Sequence, residues 1–296
     1  MIKKIWAVYF SGTGTTEKMV THVAKSTADK TGCEYEVFDF TRLDMRKNPI
    51  AFGKEDLVVL GTPVIAGRVP NLLLKYLEGL QGNGALGIPI VMYGCRSFDD
   101  ALVELRNIME NDEFHTVAGG AFAAEHSMSE ILGAGRPDAE DMAEADTFID
   151  AVTDKLTAIN AFSPAVRSSA DAKADADTTS ISCPPVEVDG NNPPGPYYKP
   201  RDSEGNHIDI RKVKPFTSDA CDNCGLCANL CPLGSIDKND CSNATGICMK
   251  CCGCIKKCPK GAKSFEDPGL IYHKTDLENV FGRRRAENKP HTKMEY

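Results

Sequence analysis

Cys221-Asp-Asn-Cys224-Gly-Leu-Cys227-Ala-Asn-Leu-Cys231-Pro232 and Cys248-Met-Lys-Cys251-Cys-Gly-Cys254-Ile-Lys-Lys-Cys258-Pro259 are two copies of one run, C-x-x-C-x-x-C-x-x-x-C-P, set a short loop apart. Three cysteines at i, i+3 and i+6 can wrap one side of an iron–sulfur cube, while the fourth is carried past it by the following Pro. Paired C-x-x-C also binds structural zinc, and eight thiolates can hold two zinc ions. Zinc, however, calls for neither the third Cys nor the Cys-Pro beyond it, twice over. Nothing marks a secreted chain, so disulfides are set aside. Cys252 inside the second run, Cys241 in the loop, and the scattered Cys33, Cys95 and Cys183 are expected to be free thiols.

Both runs resemble, without a gap, those of the bacterial two-cluster ferredoxins. The resemblance implies crossed ligation in a small α+β domain over 213–268. One 4Fe–4S cluster falls to Cys221, Cys224, Cys227 and Cys258, and the other to Cys248, Cys251, Cys254 and Cys231. Before this domain the composition changes: Ser163–Ser182 is rich in Ala, Asp and Ser, and Pro184–Pro200 is rich in Pro. Residues 163–212 are therefore expected to be a linker or wrapping segment, partly polyproline-like. After it, 269–296 is expected to be a tail. Thr275-Asp-Leu-Glu278 is a capping-box pattern for a short helix ending near Arg283-Arg284-Arg285. That basic cluster either pairs with an acidic surface or is solvated.

The first 162 residues carry a different pattern. Ile5–Phe10 is a short apolar run, as in a strand buried on both faces of a parallel sheet. It leads into Ser11-Gly12-Thr13-Gly14-Thr15-Thr16, after which Lys18–Lys30 reads as a helix. Backbone N–H groups and hydroxyls at a helix start make an anion site. The loop is neither a P-loop nor the dinucleotide G-x-G-x-x-G fingerprint. Strands then alternate with helices: strands at Glu34–Phe40, Leu57–Leu60, Ile88–Tyr93 and Thr116–Ala124, helices at Pro70–Leu80, Phe98–Met109 (capped by Ser97) and Asp138–Ile159. Five strands in this alternation imply an α/β domain with an open parallel sheet, whose ligands bind beyond the carboxyl ends of the strands.

Ser11–Thr16 resembles the flavodoxin phosphate loop, (Ser/Thr)-x-Thr-Gly-x-Thr, at every position. The resemblance implies strand order 2-1-3-4-5 and FMN. It also implies that the loops after the third and fourth strands flank the flavin ring: Thr62, Pro63, Val64, Ile65, Ala66 and Gly67 in one, Tyr93, Gly94, Cys95 and Arg96 in the other. Tyr93 is expected either to stack on the ring or to be a strand-end core residue. Arg68 and Arg96 contact the ring, contact partners or are solvated. His126, at the end of the fifth strand, is expected to be structural.

The chain as a whole resembles a single-chain flavodoxin–ferredoxin fusion, of the kind called EFR-type ferredoxins in anaerobes. That implies electron transfer with FMN and two 4Fe–4S clusters as cofactors, coupling one- and two-electron donors and acceptors, with other redox proteins as partners. The alternative is an FMN-dependent oxidoreductase that reduces a quinone or another flavin with electrons fed through the clusters. A first domain of near-minimal flavodoxin length leaves no insertion to build a substrate pocket for it. A module with a dead flavin site is a third alternative, which the intact loop argues against.

At 296 residues, 42% of them hydrophobic, the chain can build real cores. No apolar run approaches the length of a membrane span, and the apolar start is shorter than a signal-peptide core. A cytoplasmic protein, with no membrane insertion, is expected. Net charge is −8, and uneven: 15 Lys and Arg against 24 Asp and Glu through Asn160, 19 against 18 thereafter. The acidic first half speaks against nucleic acid as a partner and suits docking to the more basic second half. The linker is expected to favour that docking, so that electrons pass between the domains within one molecule.

Overall fold

The computed structural model describes residues 1–159, 161–162 and 184–293. In the first half, β1 (Lys4–Tyr9), β2 (Glu34–Asp39), β3 (Asp56–Pro63), β4 (Leu86–Tyr93), the two-residue β5 (His115–Thr116) and β6 (Gly119–Ala123) form one parallel sheet. Its order is β2-β1-β3-β4-β6, with β5 pairing β4 upstream of β6. This is a mostly parallel sheet of flavodoxin-like topology. The fifth strand expected over Thr116–Ala124 is broken in two at Val117-Ala118.

Alternation along β1 serves both faces of the sheet. Ile5, Ala7 and Tyr9 pack on α1 (Thr15–Thr31) and α4 (Ala139–Ala158), whereas Val8 and Phe10 pack toward α3 (Ala101–Asn111) on the other face. β4 is buried at all eight positions, as a central parallel strand requires. α4 starts at a capping box: Asp138 accepts from the Asp141 N–H and Asp141 accepts from the Asp138 N–H. The helix expected over Pro70–Leu80 shrinks to one turn, α2 (Leu74–Leu77), preceded by turns. α3 starts four residues after the expected cap, Ser97. Asp100 occupies the cap position, but its carboxylate accepts from the N–H groups of Asn191 and Gly195, each at 2.8 Å.

Those two donors lie in the segment expected to be a linker or wrapping segment, of which 163–183 falls outside the described residues. Residues 184–200 wrap the first half as a strap. Val186 is fully buried, the Tyr197 hydroxyl donates to Val69 O at 2.9 Å, and the Tyr198 N–H donates to Ala66 O at 2.8 Å.

The second unit holds a two-stranded antiparallel ribbon, β7 (Phe216–Thr217) with β8 (Lys263–Ser264), and the short helices α5 (Leu226–Leu230) and α6 (Gly253–Lys256). Its own buried apolar cluster is Cys227, Ala228, Ile236 and Cys241. α7 (Pro268–Phe281) follows, and it starts well before the expected capping box. Asp267 is its cap, accepting from the Leu270 N–H at 2.9 Å, with Pro at its start, so Thr275–Glu278 lies inside the helix. The tail then returns to the first half. β9 (Lys289–His291) adds an antiparallel strand beside β6, so the sheet exceeds the five strands expected.

A polar knot fastens this return. Asn288 accepts from the Ala123 N–H at 2.8 Å and donates to Asp141 and Glu144. Arg284 donates to the carbonyls of Cys95 and Arg96, and Arg285 pairs with Asp138, Glu140 and Asp141. Asn288→Ala strands a buried N–H, so unfolding free energy should fall by about 1–3 kcal/mol in a denaturant titration. Burial alone would raise the Asp141 carboxyl, but Arg136, Asn288 and the Asp138 N–H hold it below the ordinary aspartate value of about 3.9. Its contribution is therefore complete above that value and is lost on further acidification. Asp141→Asn should flatten the acid limb of the stability–pH curve.

Candidate functional site

The Ser11–Thr16 loop joins β1 to α1. Gly14 is the helix cap in a left-handed conformation, φ +106°. The buried Ser11 hydroxyl accepts from the N–H groups of Gly14 and Glu17, each at 3.1 Å, and the Ser11 N–H donates to Thr41 Oγ1 at 2.8 Å. Among the described residues, nothing accepts from the N–H groups of Gly12, Thr13, Thr15 and Thr16. Four free donors at the positive end of a 17-residue helix suit a phosphate.

A pocket opens nearby. One wall is Val64–Gly67, a tight turn with positive φ at Ala66 and Gly67, closed by Ile65 and Arg68 bonding to each other. Gly94 and Arg96 form a second wall. Asn71, Ser97 and His126–Met128 of the first half line it too, and no residue of Ser11–Thr16 does. The rest was not expected: Tyr197–Pro200 of the strap, 207–211, Met249 and Lys250 of the second unit, and His273 and Leu277 of α7. The pocket is thus roofed by the C-terminal half. The Arg96 guanidinium lies 4.4 Å from the Tyr198 ring centroid, whose other neighbour is the His273 ring at 5.8 Å. Burial, then the nearby His273, lowers His126 to about 4, and burial lowers His273 too. Both imidazoles are therefore neutral at pH 7, and His126 Nδ1 accepts from the Met128 N–H at 3.3 Å.

Several expected ring contacts lie elsewhere. Tyr93 does not face the pocket: its ring packs edge-on to Phe98 in the core, and its hydroxyl donates to the Glu287 carbonyl. The Cys95 side chain points inward, toward the Ala124 carbonyl at 3.6 Å. Thr62 is fully buried in β3 with no partner for its hydroxyl among the described residues, and neither it nor Pro63 lines the pocket. Arg68 is turned away to Glu104, in a two-point pair at 2.8 and 2.6 Å.

The motif cysteines gather around two further cavities. Cys221, Cys224, Cys227 and Cys258 all line the first, together with Cys254 and Cys241. Cys231, Cys248, Cys251 and Cys254 line the second, together with Cys252. Every residue lining the first comes from 221–263. The second lies against the first half, where Cys251 and Met249 join its apolar core. A Cβ on Gly12 would lie 2.9 Å from Cys251 Cβ, so only glycine lets the two segments touch. Among the described residues no three Cys, His, Asp or Glu side chains converge on a single ion position. Burial pushes Cys227 and Cys251 up to about 11 and Cys254 to about 12, and raises Cys248.

No family model and no curated protein matches the chain. Solved structures do. A flavodoxin from the domain Archaea is 15% identical, over 52% of this chain and 99% of its own, with a TM-score of 0.37. The flavodoxin of Streptococcus pneumonia TIGR4 is 17% identical over 52% and 98%, TM-score 0.36. The apo form of an NADH:FMN oxidoreductase (EMOB) is 15% identical over 56% and 94%, TM-score 0.39. Among the described residues no helix is long and apolar enough to cross a membrane.

Two substitutions probe the loop. Gly14→Val forces a β-branched residue into the left-handed region and should cost about 1–3 kcal/mol of stability, read by thermal unfolding. Gly12→Ala must displace Cys251, and amide exchange over 249–253 should accelerate while the β1 amides stay protected.

Proposed function

We propose that the chain is an electron-transfer protein, with FMN on the Ser11–Thr16 loop and two 4Fe–4S clusters on the eight motif cysteines. The observation that carries this reading is the sorting of those cysteines. Cys258 joins Cys221, Cys224 and Cys227 at one cavity, and Cys231 joins Cys248, Cys251 and Cys254 at the other, the crossed arrangement that the spacing suggests. One further fact supports it. A unit whose private core is four side chains needs staples, and among the described residues its cysteines form no disulfide.

Each chain segment then has a task. The free N–H groups of Gly12, Thr13, Thr15 and Thr16 would hold the phosphate, and the compact loop suits a single terminal phosphate, hence FMN rather than FAD. Val64–Gly67, Gly94 and Arg96 would border the ring. The strap and α7 exclude water from it. The Gly12–Cys251 contact keeps the second cavity beside the flavin loop. When bound, the flavin exchanges electrons singly or in pairs and each cluster exchanges one, so together they suit conversion between one- and two-electron partners.

The roofed pocket favours a second reading, in which the protein also reduces a small molecule at the flavin. The enclosing walls that an insertion would have supplied come from the strap and the C-terminal half. Steady-state turnover with quinone and flavin acceptors separates the two readings.

Anaerobic purification should yield FMN with about eight iron and eight sulfide per chain, as two cubes require. Cys258→Ala should remove the signal of the Cys221/Cys224/Cys227 cluster and largely spare the other, and Cys231→Ala should do the reverse. FAD on denaturation, zinc in place of iron, or loss of the Cys248/Cys251/Cys254 cluster in the Cys258 variant would each count against the assignment.

A further inference from the structure

Lys263 is a buried cation without a carboxylate. It is 4% exposed, and its ammonium donates to Thr217 Oγ1 at 2.6 Å and to the Cys241 carbonyl. Both acceptors are neutral, and among the described residues it forms no ion pair. Asp240, the carboxylate that senses it, is exposed and turned to its own Ser242. A buried ammonium held only by neutral oxygens is costly unless negative charge lies within reach. Lys263 lines the first cavity, where Cys221, Cys224, Cys227 and Cys258 meet, and Lys257 and Lys260 line it as well. The second cavity has no charged side chain in its lining.

We propose that Lys263 is the built-in counter-charge of the cluster in the first cavity and sets its reduction potential above that of its neighbour. This rests on the two-cluster reading above. A thiolate-ligated cluster is anionic and gains one further negative charge when it takes up an electron. The deeply buried cation lines the first cavity, whereas the partly buried Lys250 meets the second only through the Cys248 carbonyl at 2.9 Å. Lys263 therefore favours the reduced form chiefly at the first, and low dielectric strengthens the effect. Of the two clusters, the one away from the Ser11–Thr16 loop is thus reduced first. The second cavity, against Gly12, holds the harder cluster to reduce.

The test is a potentiometric titration of the anaerobically purified full chain, followed by electron paramagnetic resonance. Two separate one-electron cluster steps are expected, and the upper one should carry the signal that Cys258→Ser alters. Lys263→Met should weaken reduction in that step at least tenfold, about 59 mV for one electron, and leave the lower step in place. Lys263→Arg, which keeps the charge, should restore the gap. Both steps unmoved in Lys263→Met, or both shifted equally, would overturn the proposal. Should Lys263→Met fail to retain clusters, the unaltered protein decides. At the potential where the first cluster signal appears, that signal should be the one sensitive to Cys258→Ser, and a first signal sensitive to Cys231→Ser refutes the assignment. A protein that contains flavin but no iron and sulfide would instead refute the two-cluster reading itself.

Discussion

The Asp141 carboxylate, with no exposed surface, is shared by Arg136, Arg285 and Asn288. Arg136 comes from the loop before α4, while Arg285 and Asn288 arrive from the C-terminal tail. One buried anion thus ties the end of the described chain to the first half. Breaking such a group on one side leaves charge uncompensated, which makes the attachment firm. β9, the placement of α7 and hence the His273 wall of the pocket all follow from it.

The strap provides a second attachment. Asp100 gives up the capping role its position offers and accepts instead from Asn191 and Gly195. Arg68 holds Glu104 with its edge and the Gly195 carbonyl with its remaining donor, beneath the Tyr197 ring. Fastened on both sides, the second unit sits against the first with Lys256 paired to Glu125 and bonded to the Ser129 carbonyl. The charge asymmetry expected to guide loose encounters is expressed as fixed ion pairs.

What the sequence revealed followed from local rules. Ile5–Phe10 reads as a buried strand because both of its faces are covered. Asp138 reads as a cap because Asp141 stands three residues on. The cysteines of the two runs gather about two cavities because both runs lie within one short segment. What stayed hidden depended on distant partners. Tyr93 ends a strand in the right loop, but Phe98 and the Glu287 carbonyl claim its ring and hydroxyl. Ser97 lost the cap to Asp100, whose carboxylate answers to residues about ninety positions away. The composition of the proline-rich segment left a linker and a wrapping segment both open, because its anchoring partners, Asp100 and Val69, lie far away in the chain. Val117-Ala118 carry no breaker, and nothing local announces that the fifth strand divides there.

The β6–β9 pairing also bears on how the molecule comes into being. Ala123 and Asn288 are 165 residues apart, so that edge of the first sheet cannot close until nearly all of the described chain has been made. During synthesis, β6 waits as an open edge able to pair with another chain, the kind of exposure that invites misassembly. Completion of the first domain is thereby coupled to the arrival of the second. A chain interrupted within the cysteine runs would be left with an unfinished sheet, a defect that quality control could recognise.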